Sequence, residues 1–289
     1  MKISSRLQSY LIITLCYMAA ALVGMWIFQA LPTALWFALL IADLGATLII
    51  WSLSQLLNNA SVYDPYWSVQ PPIILLLTLI FLGEPNLGSI LLVLAVAFWG
   101  ARLSVNWMIT FDGLHQQDWR YDLLKQKSGR CFPLVNLLGI QVMPTLIVYA
   151  CLLPGFFYLV RGGGMNFGTG IGLMLILGGA LLEMVADYQM QEFRQLRSDR
   201  SELMRSGIWR HSRHPNYLGE IIVWWGVYLV MLSIFPGLWY LVIGALVNTG
   251  LFLFISIPLA ENHLATYKAG YASYLQETRQ LMPFPKRKR

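Results

Sequence analysis

Charged residues are scarce in this sequence. Asp, Glu, Lys and Arg make up 12% of its 289 residues, whereas apolar residues make up 57%. Soluble globular domains contain about 25% charged residues, so the composition excludes an ordinary soluble protein. We therefore predict a polytopic integral membrane protein of the all-α class, a helical bundle.

Cysteine is also scarce. Cys16, Cys131 and Cys151 form no even set and show no metal-ligand spacing, and two of them lie in apolar runs. We expect neither disulfides nor a bound metal. The sequence also lacks a Gly-rich dinucleotide fingerprint after a strand, a P-loop, a GxSxG elbow and an HExxH motif. A nucleotide ligand would have to be held by helix ends and loops of the membrane domain.

Long apolar runs account for most of the chain. A bilayer core needs about 20 apolar residues per helix, and most of the eight apolar segments reach that length. They cover residues 7–30, 33–57, 68–83, 86–110, 133–160, 167–194, 216–235 and 237–257. The third is short, so a seven-helix bundle is the alternative. No repeat, low-complexity linker or soluble module interrupts them, and 1–289 is predicted to be one membrane domain.

Basic residues are distributed asymmetrically around these segments. With eight spans, 18 of the 20 Lys and Arg residues fall on one side, and only Arg102 and Arg161 do not. Positively charged loops mark the cytoplasmic side, so both termini are predicted to be cytoplasmic. The net charge of +6 and the terminal PKRKR stretch then reflect topology and anionic lipid, and we expect no nucleic-acid partner.

Ionisable side chains inside apolar spans are costly and mark candidate functional sites. The sixth span ends in EMVADYQMQEFRQLRSDR, where Glu183, Asp187, Gln191 and Arg194 share one helical face. This face is either a functional site near the cytoplasmic mouth or a strip of hydrogen bonds between helices. Arg102 in the fourth span is another candidate; alternatively, its guanidinium reaches the membrane surface.

The stretch RHSRHPNYLGEIIVWW joins a cationic loop to the seventh span. Pro215 suits the first position of a helix, so the N–H groups that follow point toward Arg213 and His214. Free N–H groups and cationic side chains together form a site for a polyanion; the alternative is a set of topogenic charges. Asn216 and Glu220 share one face of the new helix. A buried Glu220 needs Arg213, His214 or a ligand donor as its partner.

Two further polar stretches flank the spans. NNASVYDPYWSVQPP places Tyr63, Asp64 and Tyr66 in a polar-aromatic turn, which is either an interfacial aromatic belt or a ligand-facing element. In the tail, PLAENHLATYKAGYASYLQETRQLMPFP carries Glu261 and His263 at the membrane edge. That segment is either an amphipathic helix on the interface or a cover over a ligand bound at the cytoplasmic side.

Three pieces of the chain are familiar from a known superfamily: ADYQMQEFR, GIWRHSRHPNYLGE and LAENHLATYKAGYASYLQETRQLMPF. The C-terminal part, roughly 180–285, resembles the superfamily of steroid 5-alpha reductases, sterol C14 reductases and isoprenylcysteine carboxyl methyltransferases. Within it, the chain is most similar to the bacterial branch with the domain of unknown function DUF1295. SVYDPYW extends the similarity to about residue 60. The resemblance implies a protein of a bacterial inner membrane.

In the reductases of this superfamily, the C-terminal region binds NADPH from the cytoplasmic side. The resemblance divides the domain into N-terminal helices with the Tyr-Asp-Pro turn (1–66), substrate-side helices (67–160) and a cofactor-binding region (167–289). By position, it implies cofactor contacts from Arg102, Asp187, Arg194, Arg197, Asn216, Tyr217, Glu220 and His263. The cations before the helix start, Arg213 and His214 among them, would then hold the phosphates of the cofactor. The implied activity is NADPH-dependent reduction of a C=C bond in a lipid- or sterol-like substrate.

The sequence departs from the steroid reductases at two places. Their Gln-Glu-Leu-Pro motif is replaced by YDPY, and a Tyr that polarises the substrate carbonyl is replaced by Trp99, which cannot act as an acid. A steroid 3-ketone is therefore not the expected substrate. Asp64 is the expected catalytic acid, assisted by Tyr63 or Tyr66, provided that burial raises the pKa of Asp64.

Two other functions stay open. The methyltransferases share the Arg-His-Pro-x-Tyr-x-Gly core, so methyl transfer from S-adenosylmethionine to a lipid carboxylate or thiol is the alternative enzyme activity. Six arginines between 194 and 213 favour the phosphorylated cofactor NADPH. The third possibility is a non-enzymatic lipid-binding membrane protein that retains the cationic loop.

Overall fold

The chain folds into a bundle of α-helices, which confirms the predicted all-α class. The computed structural model describes residues 5–282, so Lys2 and the terminal PKRKR stretch lie outside the described residues. Within that range there is no β-strand, and one isolated bridge pairs Ser212 with Arg279. The helices are α1 Arg6–Ala30, α2 Leu35–Leu56, α3 Tyr66–Phe81, α4 Leu87–Thr110, α5 Trp119–Ser128, α6 Met143–Val160, α7 Phe167–Leu196, α8 Pro215–Ile234, α9 Ile243–Leu251, α10 Ile257–Ala265 and α11 Tyr271–Glu277.

Short helical segments join several of these helices. Segments of 3₁₀ helix lie at Ala60–Tyr63, Gly129–Cys131, Gly207–Arg210 and Pro236–Val242. One α-helical turn lies at Phe132–Val135, and π-helical turns lie at Asn136–Val142 and Phe252–Ser256. Polar caps fix some of the helix starts. The Asn166 side chain accepts from the backbone N–H of Thr169 at 2.8 Å, which satisfies an otherwise free donor at the start of α7.

Seven helical stretches within residues 5–282 are long and apolar enough to cross a membrane. Two of them are composite: Trp119–Val160 joins α5 to α6, and Pro236–Ala265 joins α9 to α10. Helix α3 has 16 residues, about 24 Å of helix, and is shorter than the roughly 30 Å of a bilayer core. Residues 5–282 therefore contain seven helical stretches of full length and the shorter helix α3 between two of them, instead of eight full spans.

Helix α3 nevertheless runs between the same two ends of the bundle as its neighbours. Before it, the Asn59 side chain donates to the carbonyl of Leu114 at 2.9 Å, in the segment after α4. Ser9 of α1 accepts from the N–H of Leu114 at 3.0 Å, so α1 starts at this end too. After α3, a Cβ added to Gly83 would lie 3.4 Å from the carbonyl oxygen of Leu159, near the end of α6. The chain thus alternates between two ends.

The end that carries Asn59 and Leu114 is called the basic end below. Most described Lys and Arg residues lie in its turns or at its helix ends, whereas Arg161 follows α6 at the opposite end. The ring of Trp119 stacks on that of His263 with centroids 3.7 Å apart, which joins the C-terminal region to the basic end. Which side of the membrane this end faces stays a prediction.

Helices α7 and α8 are in backbone contact because their glycines face each other. A Cβ added to Gly179 would lie 2.6 Å from the carbonyl oxygen of Gly219. Small residues let membrane helices approach without a side chain between them. The same contact presses the Glu183 side chain against Gly219, next to Glu220. The helix packing therefore brings two acidic residues together inside the bundle.

Candidate functional site

Arg102 lies inside the bundle and not at the membrane surface. Its side chain is 5% exposed and pairs with the carboxylates of Glu183 and Asp187 on α7, the latter at 3.1 Å. The alternative in which the guanidinium reaches the surface is wrong, because two carboxylates hold it in the interior. The buried Nε of Arg102 has no hydrogen-bond partner.

The polar face of α7 is directed at α4. Glu183 and Asp187 bind Arg102, and the Gln191 amide donates to Asn106, one turn farther along α4. The hydrogen-bonded strip that the sequence left open is therefore present for these residues. The Oε1 atom of Glu183 is buried without a hydrogen-bond partner, so the strip retains an unused acceptor.

Glu220 lies in the second turn of α8 and is 5% exposed. It accepts hydrogen bonds from two indoles: Trp99 Nε1 of α4 donates at 2.8 Å and Trp224 Nε1 donates at 2.7 Å. The two indole rings pack edge to face with centroids 4.9 Å apart. Arg102 is the nearby cation that acts on the Glu220 carboxylate. The group formed by Trp99, Arg102, Glu183, Asp187, Glu220 and Trp224 is called the Arg102 cluster below.

Arg213 and His214 bind the C-terminal segment. Arg213 Nε donates to Glu261 Oε1 at 2.8 Å, its Nη1 donates to the carbonyl of Thr278, and His214 Nε2 lies 3.0 Å from the same Glu261 oxygen. Of the alternatives given for the partner of Glu220, pairing with Arg213 or His214 is therefore wrong, and donation by a ligand stays a prediction. Both cations precede α8 and are held by Glu261. Glu220 lies in the second turn of α8 and faces α4.

The C-terminal segment covers the loop before α8. Helix α11 buries Tyr271 and Tyr274, each 4% exposed, and the Tyr274 hydroxyl donates to the carbonyl of Trp209. The segment therefore packs on the protein itself, and its role as a cover over a bound ligand stays a prediction.

Asn216 and Tyr217 open helix α8. The Oδ1 atom of Asn216 is buried and has no hydrogen-bond partner. The Tyr217 ring stacks on His214 with centroids 5.2 Å apart and planes at 5°. His263 is stacked on Trp119, at the start of α5. The structure thus brings Asn216 and Tyr217 to one helix start and leaves His263 with a different partner.

Three cations gather where α7 ends. Within residues 5–282, neither Arg194 nor Arg197 forms a salt bridge. Lys268 Nζ donates to the carbonyls of Arg200 and Glu202, and burial together with the charges of Arg197 and Arg194 lowers the pKa of Lys268. Mutually repelling cations favour an anion between them, so a phosphate could be held here.

Tyr63, Asp64 and Tyr66 lie in one turn but face different partners. Asp64 accepts from the Tyr121 hydroxyl at 2.6 Å, and burial raises the pKa of Asp64 to about 7. A raised pKa is what an acid role requires, and that role stays a prediction. The Tyr63 hydroxyl bonds to Thr145 at 2.9 Å. Because Tyr63 and Tyr66 are 2% and 8% exposed, the alternative of an interfacial aromatic belt is wrong.

Asp43 is a site residue that the sequence reasoning missed. It lies in α2, is 4% exposed, and accepts from the Tyr66 hydroxyl at 2.9 Å and from Gln70 Nε2 at 2.8 Å. The available signal was a carboxylate inside an apolar span, since such residues are rarely placed there without a role. Asp43, Tyr66 and Gln70, with Thr47, Tyr63 and Thr145 beside them, are called the Asp43 cluster below.

The two clusters meet through tryptophan rings. Trp67, which follows Tyr66, packs on Trp99 with centroids 6.2 Å apart. Surface cavities of about 540 and 460 Å³ lie elsewhere, against Arg6 and Asn58 respectively. Among the residues that the structure describes, no group of three His, Cys, Asp or Glu is placed to hold a metal ion.

Comparisons of the sequence with known proteins identify a family. An uncharacterized protein of Schizosaccharomyces pombe is 27% identical over 207 residues, which cover 63% of this chain and 60% of that protein. The match therefore spans less than two thirds of the relative's length. No solved structure matches the chain. The family described as "Protein of unknown function (DUF1295)" matches residues 50–278, which contain the whole Arg102 cluster. Because that match covers most of the sequence, the chain belongs to the DUF1295 family, within the steroid 5-alpha reductase-like superfamily.

Proposed function

We propose that this protein is a membrane-embedded reductase that uses NADPH to reduce a C=C bond of a hydrophobic, lipid-like substrate. The observation that carries the proposal lies at the start of α8. The Asn216 Oδ1 atom is buried without a partner, one turn before the buried Glu220. Two neighbouring acceptors suit the carboxamide of a nicotinamide ring, whose nitrogen carries two N–H donors. Membership of DUF1295 supports an enzyme of this superfamily.

Candidate partners for the cofactor's phosphates lie at the basic end. Arg194 and Arg197 have no salt bridge within residues 5–282, and α8 begins at Pro215 without a side-chain cap. Guanidinium groups and free helix N–H groups are donors that bind phosphate. Arg213 and His214 act less directly, because Glu261 engages both. When bound, NADPH would supply the hydride.

Reduction of a C=C bond needs a proton as well as a hydride. Asp64 is a candidate donor, because a pKa of about 7 lets it hold a proton near neutral pH. Tyr66 is the second candidate. Its hydroxyl is oriented by Asp43, and it lies next to Trp67, where the two clusters meet.

Trp99 bears on the class of substrate. Its indole N–H is used by Glu220, so it offers no donor to a substrate carbonyl at the place where steroid reductases have Tyr. A lipid with a conjugated double bond, entering sideways from the bilayer near α2–α4, fits this site better than a 3-ketosteroid. The bacterial inner membrane and the cytoplasmic termini stay predictions.

Thermal unfolding of the purified protein in detergent tests the proposal. NADPH and S-adenosylmethionine are added separately at matched concentrations, since a ligand raises the Tm only when it binds the folded state. We expect NADPH to raise the Tm. We expect Arg197→Ala to reduce that rise while leaving the Tm of the ligand-free protein unchanged. Arg161→Ala, at the opposite end of the bundle, is the matched control.

Two outcomes would replace the proposal. A rise with S-adenosylmethionine alone would favour the methyltransferase. No rise with either nucleotide would favour a non-enzymatic lipid-binding protein.

A further inference from the structure

The Arg102 cluster contains more acidic than basic groups. Helix α7 contributes Glu183 and Asp187, α8 contributes Glu220, and α4 contributes a single guanidinium, Arg102. Glu183 and Glu220 are 3% and 5% exposed. Unbalanced carboxylates are costly away from water, so such a group either holds a proton or meets a positively charged ligand.

The neighbouring helices do not restore the balance. Arg194, nearer the basic end of α7, is the further cation whose charge acts on the Asp187 carboxylate. On the α6 side, the group that faces Glu220 is the thiol of Cys151, which is a weak acid and adds no positive charge. Even with Arg194 assigned to Asp187, Glu183 and Glu220 still share the one guanidinium of Arg102.

Two buried acceptors in this region are unused. Glu183 Oε1 and Asn216 Oδ1 have no hydrogen-bond partner, and Glu183 packs against Gly219, between Asn216 and Glu220 in the sequence. The excess of acid and the free oxygens lie on the same side of α8. Together they are suited to a planar group that carries positive charge.

We infer that Glu183 and Glu220 stabilise the positive charge that a nicotinamide ring acquires when it gives up hydride, an inference that rests on the proposed function. In that step, a C–H bond of the reduced ring breaks and its electron pair forms a new C–H bond on the substrate. An acid supplies the proton for the other carbon. The ring is oxidised to a cation and the substrate is reduced. Carboxylates that are fixed in advance favour the developing charge without reorganisation.

The ratio of the Kd values for NADP⁺ and NADPH tests this role. Both nucleotides carry the same phosphates, so the ratio reports the charge of the ring. Glu183→Gln keeps the shape of the side chain and removes its charge. We expect this variant to weaken NADP⁺ relative to NADPH by about tenfold, which corresponds to ~1.4 kcal/mol. Arg197→Ala should weaken both nucleotides equally and leave the ratio unchanged.

The opposite result is equally clear. If Glu183→Gln changes the Kd values for NADP⁺ and NADPH by the same factor, the inference is overturned. The proposed function would still stand. If Glu183→Gln does not fold, Glu220→Gln carries the same test, because the inference gives both carboxylates the same role. We expect the same shift of about tenfold. An unchanged ratio there would also overturn the inference. Failure of both nucleotides to bind the wild-type protein would reject the proposed function itself.

Discussion

The indole nitrogen of Trp99 donates a hydrogen bond of 2.8 Å to Oε2 of Glu220, and this bond joins α4 to α8. Trp224 donates to the other carboxylate oxygen at 2.7 Å, so both oxygens are held by uncharged donors. A buried carboxylate is tolerated when its oxygens are hydrogen-bonded. Trp99 therefore orients Glu220 across the contact between α4 and α8.

Trp99→Phe removes this donor and keeps an aromatic ring. We expect the variant to lower the free energy of unfolding by about 1–3 kcal/mol, because one buried carboxylate oxygen loses its partner. Chemical denaturation in detergent measures the loss. Trp225→Phe is the matched control, since Trp225 Nε1 donates to a neutral acceptor, Thr249 Oγ1, and is only half-buried. Equal losses in the two variants would contradict a specific role for the Trp99 bond.

Gly179→Ala tests the close contact between α7 and α8. An added Cβ would lie 2.6 Å from the backbone carbonyl of Gly219, so the helices have to separate. We expect a loss of about 1–3 kcal/mol, the usual cost of overpacking. Gly178→Ala is the control on the same helix, because no atom lies within 4 Å of its added Cβ. If Gly178→Ala lowers the Tm as much as Gly179→Ala, the glycines do not set the helix contact.

Asp64 should make stability depend on pH. Burial raises its pKa from the ordinary 3.8 to about 7, so the folded protein holds a proton that the unfolded chain releases. This contribution to stability is complete below about pH 4 and is lost as the pH rises through about 7. Asp64→Asn removes the titration and keeps an acceptor for Tyr121. We expect its Tm relative to wild type to rise by about 4–12 °C between pH 5 and pH 8, the change for ~2–3 kcal/mol.

Calorimetric or fluorescence melting curves at the two pH values check this. Asp112→Asn, in the exposed segment after α4, is the control. A Tm difference between wild type and Asp64→Asn that is the same at pH 5 and pH 8 would show that Asp64 does not titrate in this range.

Glu261 should hold the C-terminal segment on the loop before α8. It accepts from Arg213 and lies 3.0 Å from His214, and these contacts are half-buried. Glu261→Gln weakens both, and we expect faster hydrogen exchange in Tyr271–Glu277 with a loss of about 1–3 kcal/mol of local stability. Glu277→Gln is the control, since its pair with Arg205 is exposed and such pairs contribute little. Unchanged hydrogen exchange in Glu261→Gln would show that Glu261 does not hold the C-terminal segment on this loop.

Helix positions could be predicted from the sequence because a bilayer demands long apolar runs. The fourth span was expected at 86–110, and α4 is Leu87–Thr110. The third was expected at 68–83 and is the helix Tyr66–Phe81, which is too short to cross a bilayer core at full length. Helix α5, Trp119–Ser128, lies before the expected fifth span. It was not counted among the spans because its polar sequence carries no membrane pattern.

The partners inside the site could not be predicted in the same way. Helical spacing put Glu183, Asp187 and Gln191 on one face, and they do share one. Spacing does not say which helix that face meets, and Arg102 is 81 residues from Glu183. Asp43 itself could have been found as a carboxylate inside an apolar span, but its partner Tyr66, 23 residues away in another element, could not. Such pairings are set by tertiary packing, which local patterns do not contain.

An equilibrium titration of NADPH into the purified protein tests the reductase proposal most directly. Arg197 has no salt bridge within residues 5–282, so its loss should be felt through the ligand and not through the fold. We expect wild type and Arg161→Ala to bind NADPH well below about millimolar concentration, and Arg197→Ala to bind about tenfold more weakly, or ~1.4 kcal/mol. No binding below about millimolar, with Arg197→Ala indistinguishable from wild type, would contradict a site for NADPH in this protein.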